Sequence, residues 1–231
     1  HPNLASVIDS GFVGSEVYAV VEPVDGATLE SLVKDIGPMP TFMACEFARQ
    51  AALALVAAHD AGLVHGDVSP AHLMVGPLAE SSKTRADGTA ILRPGPDTAA
   101  KLTGLGLVPA RPSGREWAAL DPLARHVLGY LPPERVEVGT ATAASDLYGL
   151  GATLFFLLAG RAPYVANSAA DVVTAIANTP PAPLGTLRPD LPAGLVDLVM
   201  RMLSRNVAER PAGARAAADA LAPYAEPEPV T

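Results

Sequence analysis

The sequence predicts an α+β domain that is mainly helical. Three observations indicate this class: a short segment rich in Val and Tyr near the amino terminus, a long alanine-rich segment after it, and leucines at helical spacing in the second half. A few strands followed by many helices are typical of α+β folds. With 231 residues and 49% hydrophobic content, the chain has enough apolar material for the core of one domain.

The first predicted elements are a hairpin and two helices. Glu16 to Val24 is rich in Val and Tyr and predicts a strand, with Val7-Ile8 as its hairpin partner. A short helix begins at Thr28, with Glu30 in its first turn, and stops at Gly37-Pro38, because acidic residues favour the first turn of a helix and Gly and Pro favour its end. A long alanine-rich helix follows from Thr41, its predicted N-cap, to Ala61.

The rest of the chain is predicted to be helical after one irregular segment. Residues 76–100 are dominated by Gly, Pro, Ser, Thr and Asp, so we expect an exposed, mobile insertion with too little apolar content to pack. Lys101 to Val108 predicts a short strand. Apolar residues at helical spacing predict helices around Leu147 to Leu158, Leu195 to Leu203 and Ala212 to Leu221.

The composition argues against two classes of protein, nucleic-acid binders and membrane-spanning proteins. The net charge of −8 argues against a nucleic-acid binder, since phosphate backbones require clustered Lys and Arg. The longest uncharged apolar run, Leu147 to Gly160, is 14 residues long, fewer than the roughly 20 of a membrane-spanning helix, so we expect no membrane insertion. A single cysteine and heavy use of Ala, Pro, Gly and Arg favour a bacterial cytoplasmic protein. The acidic, proline-rich segment 223–231 is typical of a linker.

Two motifs indicate phosphotransferase chemistry. His65 to Val75 (HGDVSPAHLMV) has the outline of a phosphotransferase catalytic loop, with Asp67 where a general base would stand. Lys101 to Gly106 (KLTGLG) has the outline of a metal-binding Asp-Phe-Gly turn, with Gly104 in place of the aspartate. Such chemistry depends on a cluster of charges around a polyphosphate and its metal.

Together with three later motifs, these segments resemble the bacterial serine/threonine protein kinase family over nearly the whole chain. The later motifs are an Ala-Pro-Glu-like turn, the start of a buried central helix and a late arginine turn, at Gly129 to Glu134, Asp146 to Gly151 and Glu209 to Pro211. The resemblance implies a protein-kinase-like C-lobe at 25–222, with an activation-segment equivalent at 104–134. Residues 1–24 resemble a remnant of the small-lobe strands and hinge, with Glu22 and Val24 at the positions that contact adenine.

The resemblance also implies two structural contacts. Glu134 should pair with Arg210, and Asp146 should brace the backbone near His65. Both contacts would hold the lobe together, and neither performs chemistry. Their presence in the sequence is what a structural role predicts.

The catalytic residues that the resemblance would require are largely replaced. Gly66 stands in place of an arginine that answers to activation-loop phosphorylation, and Ser69 in place of a lysine that stabilises the transferring phosphoryl group. The two magnesium-ligand positions are occupied by His72 and Gly104. Magnesium prefers oxygen ligands, whereas imidazole suits zinc or copper. Asp67 is kept, either as a residual base position or as a turn aspartate.

We therefore predict a catalytically impaired pseudokinase that acts as a protein-interaction or regulatory scaffold. We expect no magnesium site, while ATP binding at the hinge without magnesium stays open. The expected partner is another protein or other domains of the same parent chain. It would contact the surface around the helix from Val172 to Ala177 and the 104–134 segment.

The residues also leave other functions open. An active serine/threonine kinase would complete its ATP site with a small lobe outside this chain. A small-molecule phosphotransferase of the aminoglycoside or choline type would match His65 to Asp67, yet it also needs an asparagine and an aspartate where His72 and Gly104 stand. Asp67, Ser69 and His72 have the residue types of a hydrolase triad, with no hint of the oxyanion hole that such triads need.

Overall fold

The strands lie in the first half of the chain and form two small antiparallel sheets. The computed structural model describes residues 1–14, 16–84, 90–105 and 128–226. The strands are β1 (Val7–Val13), β2 (Glu16–Val21), β3 (Ala27–Thr28), β4 (Leu73–Thr84) and β5 (Ala90–Leu102). β1 pairs with β2, and the second sheet has the order β3-β4-β5. The predicted hairpin is therefore present, and its first strand is longer than Val7-Ile8.

Helices form most of the rest of the described chain, as predicted. They are α1 (Leu29–Ile36), α2 (Thr41–Asp60), α3 (Pro133–Val138), α4 (Ala143–Ala159), α5 (Ala169–Asn178), α6 (Leu184–Leu187), α7 (Ala193–Met202) and α8 (Ala214–Leu221). Short 3-10 turns follow at Val207–Glu209 and Ala222–Tyr224. The mainly helical α+β class is confirmed.

Helix α1 begins and ends where the sequence predicts, whereas the start of α2 differs from its prediction. The Thr28 side chain accepts a hydrogen bond from the Ser31 backbone N–H, and Gly37 ends α1 with φ of +81°. Thr41 was expected to cap α2 but is instead its first helical residue. Pro40 holds the N-cap position in an extended conformation, and no side chain caps this end.

The segment 76–100, predicted as an exposed insertion without packed structure, is a paired hairpin wherever it is described. β4 and β5 pair from Leu73 with Leu102 out to Thr84 with Ala90. Thr98 supports the base of the hairpin, because its hydroxyl donates to the Pro77 carbonyl at 2.5 Å. Backbone pairing needs little apolar content, so the composition of this segment does not reveal it. The strand predicted to start at 101 ends at Leu102, and 106–108 lie outside the described residues.

Helix α4 is the centre of the core. Ser145 through Leu158 are all buried in it, and α2, α7 and α8 pack around it. Two glycines let neighbours approach closely: a Cβ at Gly149 would lie 2.6 Å from the Val68 carbonyl oxygen, and one at Gly151 would lie 2.6 Å from Met202 Cβ. The loop that contains Val68 therefore rests directly on this helix.

Helix α2 has the length and apolar character of a membrane-spanning helix. It is the one helix among the described residues with these properties, and 50% of its apolar window is buried inside the fold. Buried core helices share the same length and composition. Ala44, Cys45 and Leu55 are among its buried residues, so α2 forms part of the core.

Candidate functional site

The loop from His65 to His72 is anchored on the first turn of α4 by Asp146. This carboxylate is 1% exposed and accepts hydrogen bonds from the backbone N–H groups of His65 and Gly66 at 2.9 and 2.7 Å. His59 Nε2, at the end of α2, lies 2.8 Å from the same carboxylate and donates to it. Three donors thus satisfy the buried charge, as burial requires.

The contact between Asp146 and the backbone near His65 is the one that the family resemblance implies. The contribution of His59 was not predicted. Its one signal in the sequence is a histidine in the last turn of α2, six residues before His65. Such a signal does not identify the partner, which is 87 residues away.

His65 is a neutral structural residue. Its Nδ1 accepts from the Asp67 backbone N–H at 3.2 Å, so the proton lies on Nε2, which donates to the Thr103 carbonyl at 2.9 Å. Burial lowers the pKa of this imidazole, which agrees with a neutral ring. His65 therefore links the loop to the residues just before Gly104.

His72 faces Asp67 and Ser69 through a single ring nitrogen. Its Nδ1 donates to the Asp67 carbonyl at 2.9 Å and lies 3.6 Å from the Asp67 carboxylate and 3.3 Å from Ser69 Oγ. A hydrolase triad needs the serine and the carboxylate on opposite nitrogens of the histidine. Because both lie on the same nitrogen here, the three residues do not form a proton relay.

The structure brings His72 and Gly104 together. The Thr103 N–H donates to the His72 carbonyl at 2.8 Å, just beyond the point where β4 begins and β5 ends. A Cβ at Gly104 would lie 3.2 Å from His72 Cδ2, and the φ of Gly104 is +83°. The imidazole therefore packs against the Cα from which the family's metal-binding aspartate would extend.

The donor set at this site does not fit magnesium. Of the three positions, Asp67 offers a carboxylate, His72 an imidazole and Gly104 no side chain. Across the described part of the chain, no group of three or more His, Cys, Asp and Glu side chains could hold a metal ion. Magnesium takes an octahedral shell of oxygen donors, which these residues do not provide.

Glu22, one of the two residues predicted for the hinge, lies beside the base of the β4–β5 hairpin. The Glu22 carboxylate accepts from Lys101 Nζ at 2.7 Å and from the Ser6 N–H at 3.0 Å, and the Lys101 hydrogen bond lowers its pKa. Val24 is half-buried. A Cβ at Gly26 would lie 2.0 Å from the Val75 carbonyl oxygen, so this segment passes in close contact with β4.

Glu134 and Arg210 form a bidentate ion pair. The two guanidinium nitrogens lie 2.7 and 2.8 Å from the carboxylate oxygens, and the Arg210 side chain is fully buried. Arg210 also donates to the carbonyls of Ala144 and Ser204, at 2.8 and 2.9 Å. This pair therefore ties α3 to the start of α4 and to the turn before Arg210, the contact implied by the resemblance.

The chain matches known proteins over almost its whole length. The family model described as "Protein kinase domain" matches residues 1–222. Serine/threonine-protein kinase pkn2 of Myxococcus xanthus is 31% identical over 225 residues, covering 96% of this chain and 25% of that protein. PknA of Mycobacterium tuberculosis is 31% identical over 230 residues, covering 96% and 47%. The chain thus spans between a quarter and about half the length of these relatives.

Solved structures with the same fold include two of Rad53. A crystal structure of Rad53 1-466 in complex with AMP-PNP has a TM-score of 0.68 and 19% identity, covering 98% of this chain and 51% of that one. A structure of the Rad53 kinase domain and SCD2 in complex with AMPPNP also has a TM-score of 0.68, with 18% identity and coverage of 100% and 76%. At this level of identity the likeness shows the fold.

Proposed function

This chain belongs to the protein kinase family, and within that family we propose that it is a pseudokinase. A pseudokinase presents a kinase-like surface to another protein without transferring phosphate. The observation that carries the proposal is the packing of His72 against Gly104 beside Asp67. Two positions that need oxygen donors for magnesium hold an imidazole and a bare Cα. The structural contacts Glu134–Arg210 and Asp146–His65 are meanwhile intact.

The size of the expected loss of catalytic rate supports the pseudokinase proposal. Phosphoryl transfer depends almost entirely on positioning and on charge stabilisation. Removal of one preorganised electrostatic contact lowers the rate by about 10²–10³. Two metal ligands and the lysine replaced by Ser69 together predict a loss of ~10⁵ or more, even with strong non-additivity. Against a kinase turnover of ~1–100 s⁻¹, such a rate is close to background.

The proposed partner is another protein or another domain of the same parent chain, in the bacterial cytoplasm. The relatives from Myxococcus xanthus and Mycobacterium tuberculosis support the bacterial source. Within α5, Val172 and Ile176 pack inward, so the face available to a partner is the opposite one, which includes the exposed residues Asp171 and Thr174.

An active serine/threonine kinase is the second candidate, because the relatives carry that name and Asp67 is retained in the loop. In this case, nucleotide contacts would come from a small lobe outside the chain. A small-molecule phosphotransferase has less support, since the matching family model is that of the protein kinase domain.

Phosphate transfer in the full-length protein separates these candidates. We expect no incorporation from γ-labelled ATP with magnesium or manganese, in the wild type or in Asp67→Asn. We also expect magnesium to add nothing to any thermal stabilisation by ATP, because ligand binding must stabilise the folded state. Magnesium-dependent autophosphorylation that Asp67→Asn abolishes would instead establish the active kinase.

A further inference from the structure

Arg135 is a buried arginine beside the loop that contains Asp67. It follows Glu134 in α3, is 2% exposed, and donates from Nη1 to the Gly66 carbonyl. Arginine is almost never fully buried unless it is paired, because removing its charge from water is unfavourable. A buried guanidinium on a backbone carbonyl 69 residues away is therefore a specific tertiary contact.

The conformation of Gly66 makes this contact possible. With φ of +78°, Gly66 adopts the left-handed conformation that glycine tolerates. Its N–H donates to the Asp146 carboxylate at 2.7 Å, and its carbonyl accepts from Arg135. Both backbone polar groups of the residue before Asp67 are thus held by buried charged side chains, one from α4 and one from α3.

Helix α3 is also attached to the turn that carries Arg210. Glu134 binds Arg210 with two short contacts, so the neighbouring residue of Arg135 is fixed to a different part of the fold. Since adjacent helical residues point in different directions, α3 joins the loop and the Arg210 turn through consecutive side chains. Helix α3 therefore contacts both the loop and the turn that carries Arg210.

We propose that Arg135 is a positioning residue that fixes the loop around Asp67 to α3 permanently, without the need for phosphorylation. In the family, the arginine at the Gly66 position answers to a phosphate on the activation segment, and this chain has no side chain there. Arg135 instead brings a cation to the Gly66 backbone, and its acceptor is a carbonyl that needs no modification to be present. The proposal holds whether or not the domain transfers phosphate.

Hydrogen exchange of the loop amides tests this role. In the full-length protein, Arg135→Ala should speed exchange in peptides covering 64–72 by about tenfold or more, the effect of losing one charge-assisted hydrogen bond. Arg135→Lys, which keeps a cationic donor, should restore most of the protection. Phosphatase treatment of the wild type should leave loop exchange unchanged.

Arg188→Ala is the matched control. Arg188 also donates to a backbone carbonyl, that of Leu158, and its side chain is 23% exposed. Its loss should leave exchange in the loop unchanged. If Arg135→Ala does not fold, Arg135→Gln is measured in its place against the same loop peptides. The proposal would be overturned if a folded Arg135 variant exchanged its 64–72 amides at the wild-type rate. It would also be overturned if phosphatase treatment of the wild type made these amides exchange faster.

Discussion

The contact between His72 and Gly104 predicts a measurable energetic coupling. A side chain at the φ of +83° found at Gly104 destabilises the fold by about 1–2 kcal/mol. A Cβ there would also lie 3.2 Å from His72 Cδ2, so the ring must move. Because His72 Nδ1 donates to the Asp67 carbonyl, this movement weakens a hydrogen bond with a net contribution of about 0.5–1.5 kcal/mol.

Gly104→Asp should therefore lower the free energy of unfolding by roughly 1.5–3.5 kcal/mol, the sum of the two effects. In a His72→Asn background the ring is absent, and the backbone effect of about 1–2 kcal/mol is left. The double-mutant cycle should give a coupling energy of about 0.5–1.5 kcal/mol in favour of the double substitution.

Urea denaturation of the four proteins measures the cycle. Gly62→Asp is the matched control, because Gly62 has φ of +73° in the turn after α2 and nothing lies within 4 Å of a Cβ built there. It should show the backbone effect and no coupling to His72→Asn. Zero coupling at Gly104, or equal coupling at both glycines, would refute the geometric argument. The doubly substituted protein should also gain magnesium-dependent stabilisation by ATP, since oxygen donors return at both ligand positions.

Two further predictions concern stability. Arg210→Ala should lower the free energy of unfolding by about 3–5 kcal/mol, because it leaves Glu134 without its buried partner. Arg205→Ala is the control: Arg205 lies 3.9 Å from Glu137 at the surface, and its loss should change the free energy of unfolding by less than about 0.5 kcal/mol. Similar losses for the two variants in urea denaturation would contradict this prediction. Burial lowers the pKa of His65, so below about pH 6.5 the unfolded state binds more protons and stability falls as pH decreases. His65→Gln should reduce the dependence of the free energy of unfolding on pH, measured by urea denaturation at several pH values. An unchanged dependence would count against a buried, neutral His65.

Sequence reasoning was most successful where chemistry is tied to a short motif. The capped helix from Leu29, the core of α4 and the pairing of Glu134 with Arg210 all follow from residue types at fixed positions. The strand pairing within 76–100 was not predicted, because it uses backbone groups that every residue type supplies. The prediction of Thr41 as the N-cap of α2 was also wrong, because Pro40 holds that position.

The amino-acid sequence by itself determined the family, through motifs spread from His65 to Pro211, and it determined that positions 72 and 104 carry no oxygen-donor side chain. The tertiary structure alone decided that the His72 ring packs against Gly104 and that Arg135 reaches the Gly66 carbonyl. The physical reason is that a side chain's direction and its distant partner are chosen by packing over the whole fold. Residues 69 apart carry no local signal of their contact until the helices that bear them have docked.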